Sequence, residues 1–206
     1  MRKALRWSLI VFGLAFPSLA VAQSKSGFHD AMRKLWVDHV TWTRLFIVSA
    51  AADLPDKSAT TQRLLQNQTD IGAAIATIYG KAAGDKLTSL LKDHILIAAD
   101  LVGAAKAGQT ARVDSLNRKW GANADDIAVF LNSANPKHWP TATLKSLMHT
   151  HLDQTLAEAT HQLKGDYTAS VKDYDAIETH ILMMADALSD GIIAQFPQKF
   201  NAKKPK

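Results

Sequence analysis

Leu87-Thr-Ser-Leu-Leu91-Lys-Asp-His94-Ile-Leu-Ile-Ala98-Ala-Asp-Leu101-Val-Gly-Ala-Ala105 decides the fold class. Leu87, Leu91, His94, Ala98, Leu101 and Ala105 recur at alternating steps of four and three, which is one buried seam of a helix and not the two-residue period of a strand. Met32, Leu35, His39, Trp42, Phe46 and Ser49 repeat the pattern near the start of the chain. Working outward, the spacing predicts helices near 29–53, 58–80, 83–107, 110–132, 141–164 and 167–195. They are separated at Leu54-Pro55-Asp56, Gly80 to Gly84, Gly108-Gln109, Asn132 to Pro140 and Gly165-Asp166. Ser58, Thr110, Thr141 and Asp166 are the expected N-caps, and Pro197 closes the last helix. Connections this short make successive helices antiparallel neighbours, so the expectation is an all-α, up-and-down antiparallel bundle of about six helices. The longest connection, 133–140, suggests a division into four helices plus two. No internal repeat and no low-complexity linker stands out.

Arg2, Lys3 and Arg6 precede an apolar stretch, Leu9 to Phe16, and the small residues Ala20-Val21-Ala22. This is the pattern of a signal peptide covering 1–22, cleaved before Gln23, and it points to export, with the periplasm as the expected destination. The reading continues with a single helical domain over 23–197 and a basic flexible tail over 198–206. No mature segment offers about 18 uninterrupted apolar residues for a membrane span. The formal charge of +5 is misleading, because residues 23–198 carry 17 basic against 19 acidic side chains. A nucleic-acid partner is therefore not expected, since that binding needs a basic face on the folded domain. With no cysteine, the chain has no disulfide, no thiolate nucleophile and no covalently attached haem of the c type.

Four histidines, His39, His94, His151 and His180, each fall near the middle of a different predicted helix, at similar depth in an antiparallel bundle. Projected at about 100° per residue, His39 and His94 lie within the apolar arc, His151 lies off-centre and His180 sits on a flank. Asn67, Asn123 and Asp70 fall at the same depth, and Glu178 lies near the centre of the last helix's apolar arc. Buried without partners, such groups cost about 1 to 3 kcal/mol each, so they must find one another, backbone, water or an ion. One reading is a polar network that fixes helix pairing. The other is a metal or haem site, because neutral imidazole is a common ligand and bundles build sites from facing helices. In that reading His39, His94, His151 and His180 are the ligands of iron, copper, zinc or haem b, with Asn67, Asp70 and Glu178 behind them.

Other motifs carry less. Glu158-Ala-Thr-His161 has the Glu-x-x-His spacing of di-iron bundles, but a second copy is missing. Asp173-Tyr-Asp175 resembles the metal-holding Asp-x-Asp of sugar-nucleotide transferases, yet it lies in a helical stretch with no nucleotide-binding pattern around it. Trp36, Trp42, Trp120 and Trp139 read as core anchors, and Met148, Met183 and Met184 as packing.

The strings Leu35-Trp-Val-Asp-His39-Val-Thr-Trp42-Thr-Arg44, Leu64-Leu-Gln-Asn67-Gln-Thr-Asp70-Ile-Gly72, Leu90-Leu-Lys-Asp-His94-Ile and Met184-Ala-Asp-Ala-Leu-Ser-Asp-Gly191-Ile-Ile-Ala-Gln-Phe-Pro197 together resemble a bacterial family of uncharacterised all-helical, often exported proteins. Its members are sometimes labelled glycosyltransferase or acetylglutamate kinase. The resemblance spans roughly 35–197 and implies a family and a helical fold. It implies neither labelled activity, because an all-α chain lacks the nucleotide-binding architecture both require. The expected role is an exported, non-enzymatic bundle with an internal His/Asn/carboxylate cluster and a partner at the cell envelope. The alternatives are a periplasmic metal- or haem-binding bundle and an enzyme of the cell envelope.

Overall fold

The computed structural model describes residues 24–200, so the expected signal segment (1–22) and most of the expected basic tail lie outside the described residues. The chain is an all-α bundle of six helices: α1 (Lys25–Ala51), α2 (Lys57–Tyr79), α3 (Lys81–Lys106), α4 (Thr110–Ala134), α5 (Thr141–Lys164) and α6 (Tyr167–Gln195), followed by a short 3-10 turn, Pro197–Lys199. Among the described residues no helix is long and apolar enough to cross a membrane.

Of the expected N-caps, Asp166 caps its helix and Ser58, Thr110 and Thr141 do not. Ser24 caps α1 by accepting from the amide of Gly27, and Asp166 caps α6 by accepting from Ala169, each at 3.0 Å. Thr110 and Thr141 lie just inside their helices, and Ser58 lies inside α2. The positions before them, Asp56, Gln109 and Pro140, make no side-chain cap bond. Gly165 ends α5 in the left-handed conformation (φ 76°), which a residue with a Cβ adopts only at a cost.

Each helix packs against its neighbours in sequence, and α6 closes back on α1, so the bundle is a ring without the expected division into four plus two. The connection after α4 is instead tied down. Asn135 donates to the carbonyl of Gly191 at 2.9 Å, and Asn132 donates to that of Trp139 at 2.8 Å. The Trp139 indole covers Gly191 so closely that a Cβ there would lie 2.1 Å from Nε1. The ring is sealed where it begins and ends, with the rings of Phe28 and Phe200 centred 4.9 Å apart. Between α2 and α3, a Cβ on Gly84 would fall 2.5 Å from the carbonyl oxygen of Gly72, so the two backbones cross at glycine.

Contrary to the expectation of no repeat, the three hairpins α1–α2, α3–α4 and α5–α6 are built alike. Their first helices run parallel and touch one another across the bundle axis, forming an inner triangle, with α2, α4 and α6 seated outside it. Around the inner histidine of each first helix, the residues seven and three before it and one after it are buried: Met32, Trp36 and Val40; Leu87, Leu91 and Ile95; Leu144, Met148 and Leu152. On the second helices Asn67, Asn123 and His180 are each followed by buried residues at four and eight positions: Ile71 and Ile75; Ile127 and Leu131; Met184 and Leu188. All three first helices share Leu-x-x-x-His (Leu35, Leu90 and Leu147 before the histidines), α1 and α3 share Leu-x-x-Asp-His, and α2 and α4 share Asn-x-x-Asp-Ile. Packing tolerates exchange among apolar residues of similar volume, which is why the geometry repeats where the letters do not.

Candidate functional site

The repeat sets the polar layer. In every hairpin the second helix donates a side-chain N–H to the carbonyl of the leucine one turn before the histidine. Asn67 Nδ2 reaches the Leu35 carbonyl at 2.9 Å, Asn123 Nδ2 reaches that of Leu90 at 3.1 Å, and His180 Nε2 reaches that of Leu147 at 2.9 Å. His180 therefore does the work of an asparagine and stands outside the imidazole cluster, beside His151.

The inner imidazoles belong to His39, His94 and His151, at 3 %, 2 % and 3 % exposure. His151, off-centre in sequence projection, occupies the middle: its ring centroid is 5.5 Å from that of His39 and 6.5 Å from that of His94. The offset disappears because α5 is one of three helices facing the axis, so a wider part of its surface is interior than a two-neighbour projection assumes. Trp36 and Trp120 close the ends, centred 5.8 Å from His39 and 5.2 Å from His94.

Two of the three rings have a named partner. His94 Nδ1 lies 2.8 Å from Asn123 Oδ1; since the amide nitrogen of Asn123 is committed to Leu90, the imidazole donates and keeps its lone pair at Nε2. Gln68 Nε2 lies 2.8 Å from the Leu64 carbonyl and 3.0 Å from Asn67 Oδ1, which take its two N–H groups, and 3.3 Å from His39 Nδ1. Gln68 is wholly buried and was missed in the sequence, although it sits four residues after Leu64 and three before Ile71, on the apolar arc. His151 Nδ1 is buried with no hydrogen-bond partner, and so are Gln68 Oε1, Trp36 Nε1 and Trp120 Nε1 in the same layer.

Burial dominates the protonation of these rings. It lowers His39 to about 3, with His94 adding repulsion, and it lowers His94 to about 4 against the opposing bond to Asn123. His151 is held well below the usual histidine range by burial, by the imidazoles of His39 and His94 and, from outside the cluster, by that of His180. All three are neutral at physiological pH.

The expected carboxylates are elsewhere. Asp70 accepts from Gln66 at 2.9 Å on the outer side of α2. Glu178 is half-buried, one residue past the buried stripe that contains Ile177 and Ile181. The buried carboxylate is Glu158, seven residues after His151 in the same seam, bonded to Arg44 Nη1 at 2.6 Å. Burial pushes Glu158 up to about 7, with Arg44 opposing. Its motif partner, His161, turns outward to Asp173 at 2.6 Å, so the Glu-x-x-His spacing does not gather one ligand set. The second acid of Asp173-Tyr-Asp175 is exposed, and Tyr174 between them meets Thr41 at 3.0 Å.

Small apolar cavities of about 20 Å³ lie on the two sides of the layer. Met32, Met148, Met184 and Trp36 border the first, and Leu64, Ile95, Trp120 and Thr155 the second. Each has room for about one water and offers almost no polar partner. A porphyrin, which needs a pocket of roughly 300 Å³ or more, does not fit in either. As placed, no group of three or more His, Asp or Glu side chains among the described residues could hold a metal ion. Outside the layer, an open groove between α3 and α4 is lined by Asp93, Asp100, Lys119, Asn123 and Asp126. Comparison with known proteins finds no similar family model, curated sequence or solved structure.

Proposed function

We propose that this chain is an exported, non-enzymatic helical scaffold, whose three hairpins are locked by a buried polar layer and whose outer faces meet a partner at the cell envelope. The observation that carries the reading is the threefold recurrence of one clamp: Asn67, Asn123 and His180 each hold the carbonyl of the leucine preceding an inner histidine. A catalytic group must reach substrate, whereas this polar layer lies between helices and is bordered by cavities too small for an organic molecule. Buried side-chain bonds of this kind fix which helices pair and in what register.

Native-state hydrogen exchange tests the scaffold role. The amides flanking His39, His94 and His151 are expected to exchange last, through global unfolding, because the layer joins all three hairpins. Exchange of one hairpin's layer at the rate of its helix ends would overturn the reading. Export is tested by fractionation and intact mass: a product beginning at Gln23 in the osmotic-shock fluid is expected, and a full-length cytosolic product would refute it.

A further inference from the structure

The threefold repeat lets one hairpin be compared with another at the same depth. In the first hairpin Asp38, directly before His39, and Asp70, three residues after the clamp residue Asn67, flank Arg63, whose guanidinium nitrogens lie 3.8 Å from each carboxylate. That guanidinium sits over the Trp42 ring, 5.2 Å from its centroid, and Lys34 brings a second cation to 2.7 Å from Asp38. Asp38, Trp42, Arg63 and Asp70 are all half-buried by this arrangement.

In the second hairpin the matching positions are Asp93, Ile97, Lys119 and Asp126, and Ser89 stands where Lys34 would be. Both acids are present again, but the arginine is replaced. Among the described residues neither Asp93, Asp126 nor Lys119 enters an ion pair; all three are exposed and line an open groove of about 470 Å³ between α3 and α4. We propose that this groove is a docking slot for an arginine side chain of a partner polypeptide, supplied from outside where the first hairpin supplies Arg63 from within. The proposal rests on the scaffold reading in one respect, that the outer faces meet a partner.

The chemistry of the slot selects a guanidinium. Its planar fork of N–H donors can address two carboxylates at once while its flat face packs on an apolar wall, whereas the ammonium of Lys119 is a compact, strongly hydrated point charge. Asp100, which takes the place of Leu45, adds a third carboxylate to the groove, so Lys119 leaves it negative overall and attractive to a cation. Leu96 takes the place of Thr41; it is 49 % exposed and lines the groove beside Ile97. An apolar wall next to paired acids suits the methylene stem of an arginine and an apolar neighbour in the same peptide. The repeat itself does not require the acids, because the third hairpin carries Thr150 and Met183 at their positions and Ala176 at that of Arg63.

The test is a titration of the ¹⁵N-labelled full chain at low ionic strength with acetyl-leucyl-arginyl-leucine amide, its lysyl and citrullyl analogues, and arginine amide. The arginyl peptide is expected to shift amides within 93–100 and 119–126 to saturation at one site. It should bind about tenfold tighter than the lysyl peptide, and the neutral citrullyl peptide should not bind. Lys119→Arg, which rebuilds the internal bridge of the first hairpin, is expected to weaken peptide binding about tenfold, and Asp126→Asn about fivefold. Both variants alter exposed side chains, and the peptide comparison is read on the unaltered protein. The proposal is overturned if no arginyl peptide binds, if the arginyl and lysyl peptides bind alike, if the shifts centre on another face, or if Lys119→Arg titrates like the parent chain. Arginine amide binding as tightly as the peptide would make a small guanidinium compound the ligand and would overturn it as well. Each of these results leaves the scaffold reading standing, since that reading is decided by hydrogen exchange.

Discussion

His94 gives its Nδ1 proton to Oδ1 of Asn123 at 2.8 Å, and the same amide returns a proton to the carbonyl of Leu90, one turn before His94, at 3.1 Å. Side chain, side chain and backbone thus satisfy one another across α3 and α4, and cutting the chain at one point strands the rest. Asn123→Leu or His94→Leu alone should each cost about 1 to 3 kcal/mol, because a buried polar partner is left unmatched. The double replacement should cost clearly less than the sum. Urea denaturation of the four proteins measures the coupling, and strictly additive costs would show that the bond organises nothing.

Acid should unfold the bundle more steeply than its surface charges explain. The folded histidines sit far below their ordinary value of 6.5, near 3 for His39 and near 4 for His94, with His151 also strongly lowered. Unfolded, they bind protons near pH 6.5, so their contribution is fully present above that pH and is lost as pH falls towards 4. Each removes about 1.4 kcal/mol per pH unit over that window. Glu158 acts in the opposite sense between its ordinary 4.5 and its folded value of about 7, where stability falls as pH rises. The net expectation is a loss of about 3 kcal/mol per unit between pH 6 and pH 4.5, read from urea midpoints at a series of pH values. A flat profile there would contradict the neutral imidazole layer.

Arg44 and Glu158 should show the reverse dependence. Arg44→Met leaves a buried carboxylate without its cation, a loss of about 3 to 5 kcal/mol at pH 8. At pH 5 the carboxyl is protonated and the penalty should shrink by more than half. Glu158→Gln, which keeps the shape without the charge, should be milder than Arg44→Met at pH 8. Equal costs at the two pH values would mean that packing, not charge, is what Arg44 supplies.

Gly84→Ala tests the crossing of α2 and α3. Its methyl group would meet the Gly72 carbonyl oxygen at 2.5 Å and the Ala76 Cβ at 2.6 Å, neither of which can swing aside. The helices must part, at a cost of about 1 to 3 kcal/mol, which outweighs the gain of about 0.5 to 1 kcal/mol from removing a helical glycine. Gly103→Ala, which meets nothing within 4 Å, should be neutral or stabilising. Thermal midpoints of the two variants moving in the same direction would refute the argument.

Helix periodicity made the six elements, their order and the central depth of His39 and His94 readable before any coordinates. What sequence could not supply was the arrangement of three helices around one axis. That arrangement draws His151 to the centre, gives His180 to the Leu147 carbonyl and leaves Glu178 at the edge. Glu158 was legible in principle, since it follows His151 by seven residues in the same seam, but its role depends on Arg44 from α1, a contact between positions 114 residues apart. The repeat is faint in sequence because few letters recur, Leu-x-x-x-His and Asn-x-x-Asp-Ile among them, and the clamps they build end on backbone carbonyls, which every residue has.

The contact of Phe28 with Phe200 has a topological consequence. Because α6 packs on α1 as its neighbours in sequence do on one another, the fold has no intrinsic first helix, and where the chain opens is an accident of connection. Joining Ser24 to Phe200 through a linker and cutting between hairpins, at the exposed Gly80, would start the chain at the second hairpin and keep every clamp intact. The protein is in this sense cyclic in structure while linear in covalent bonds.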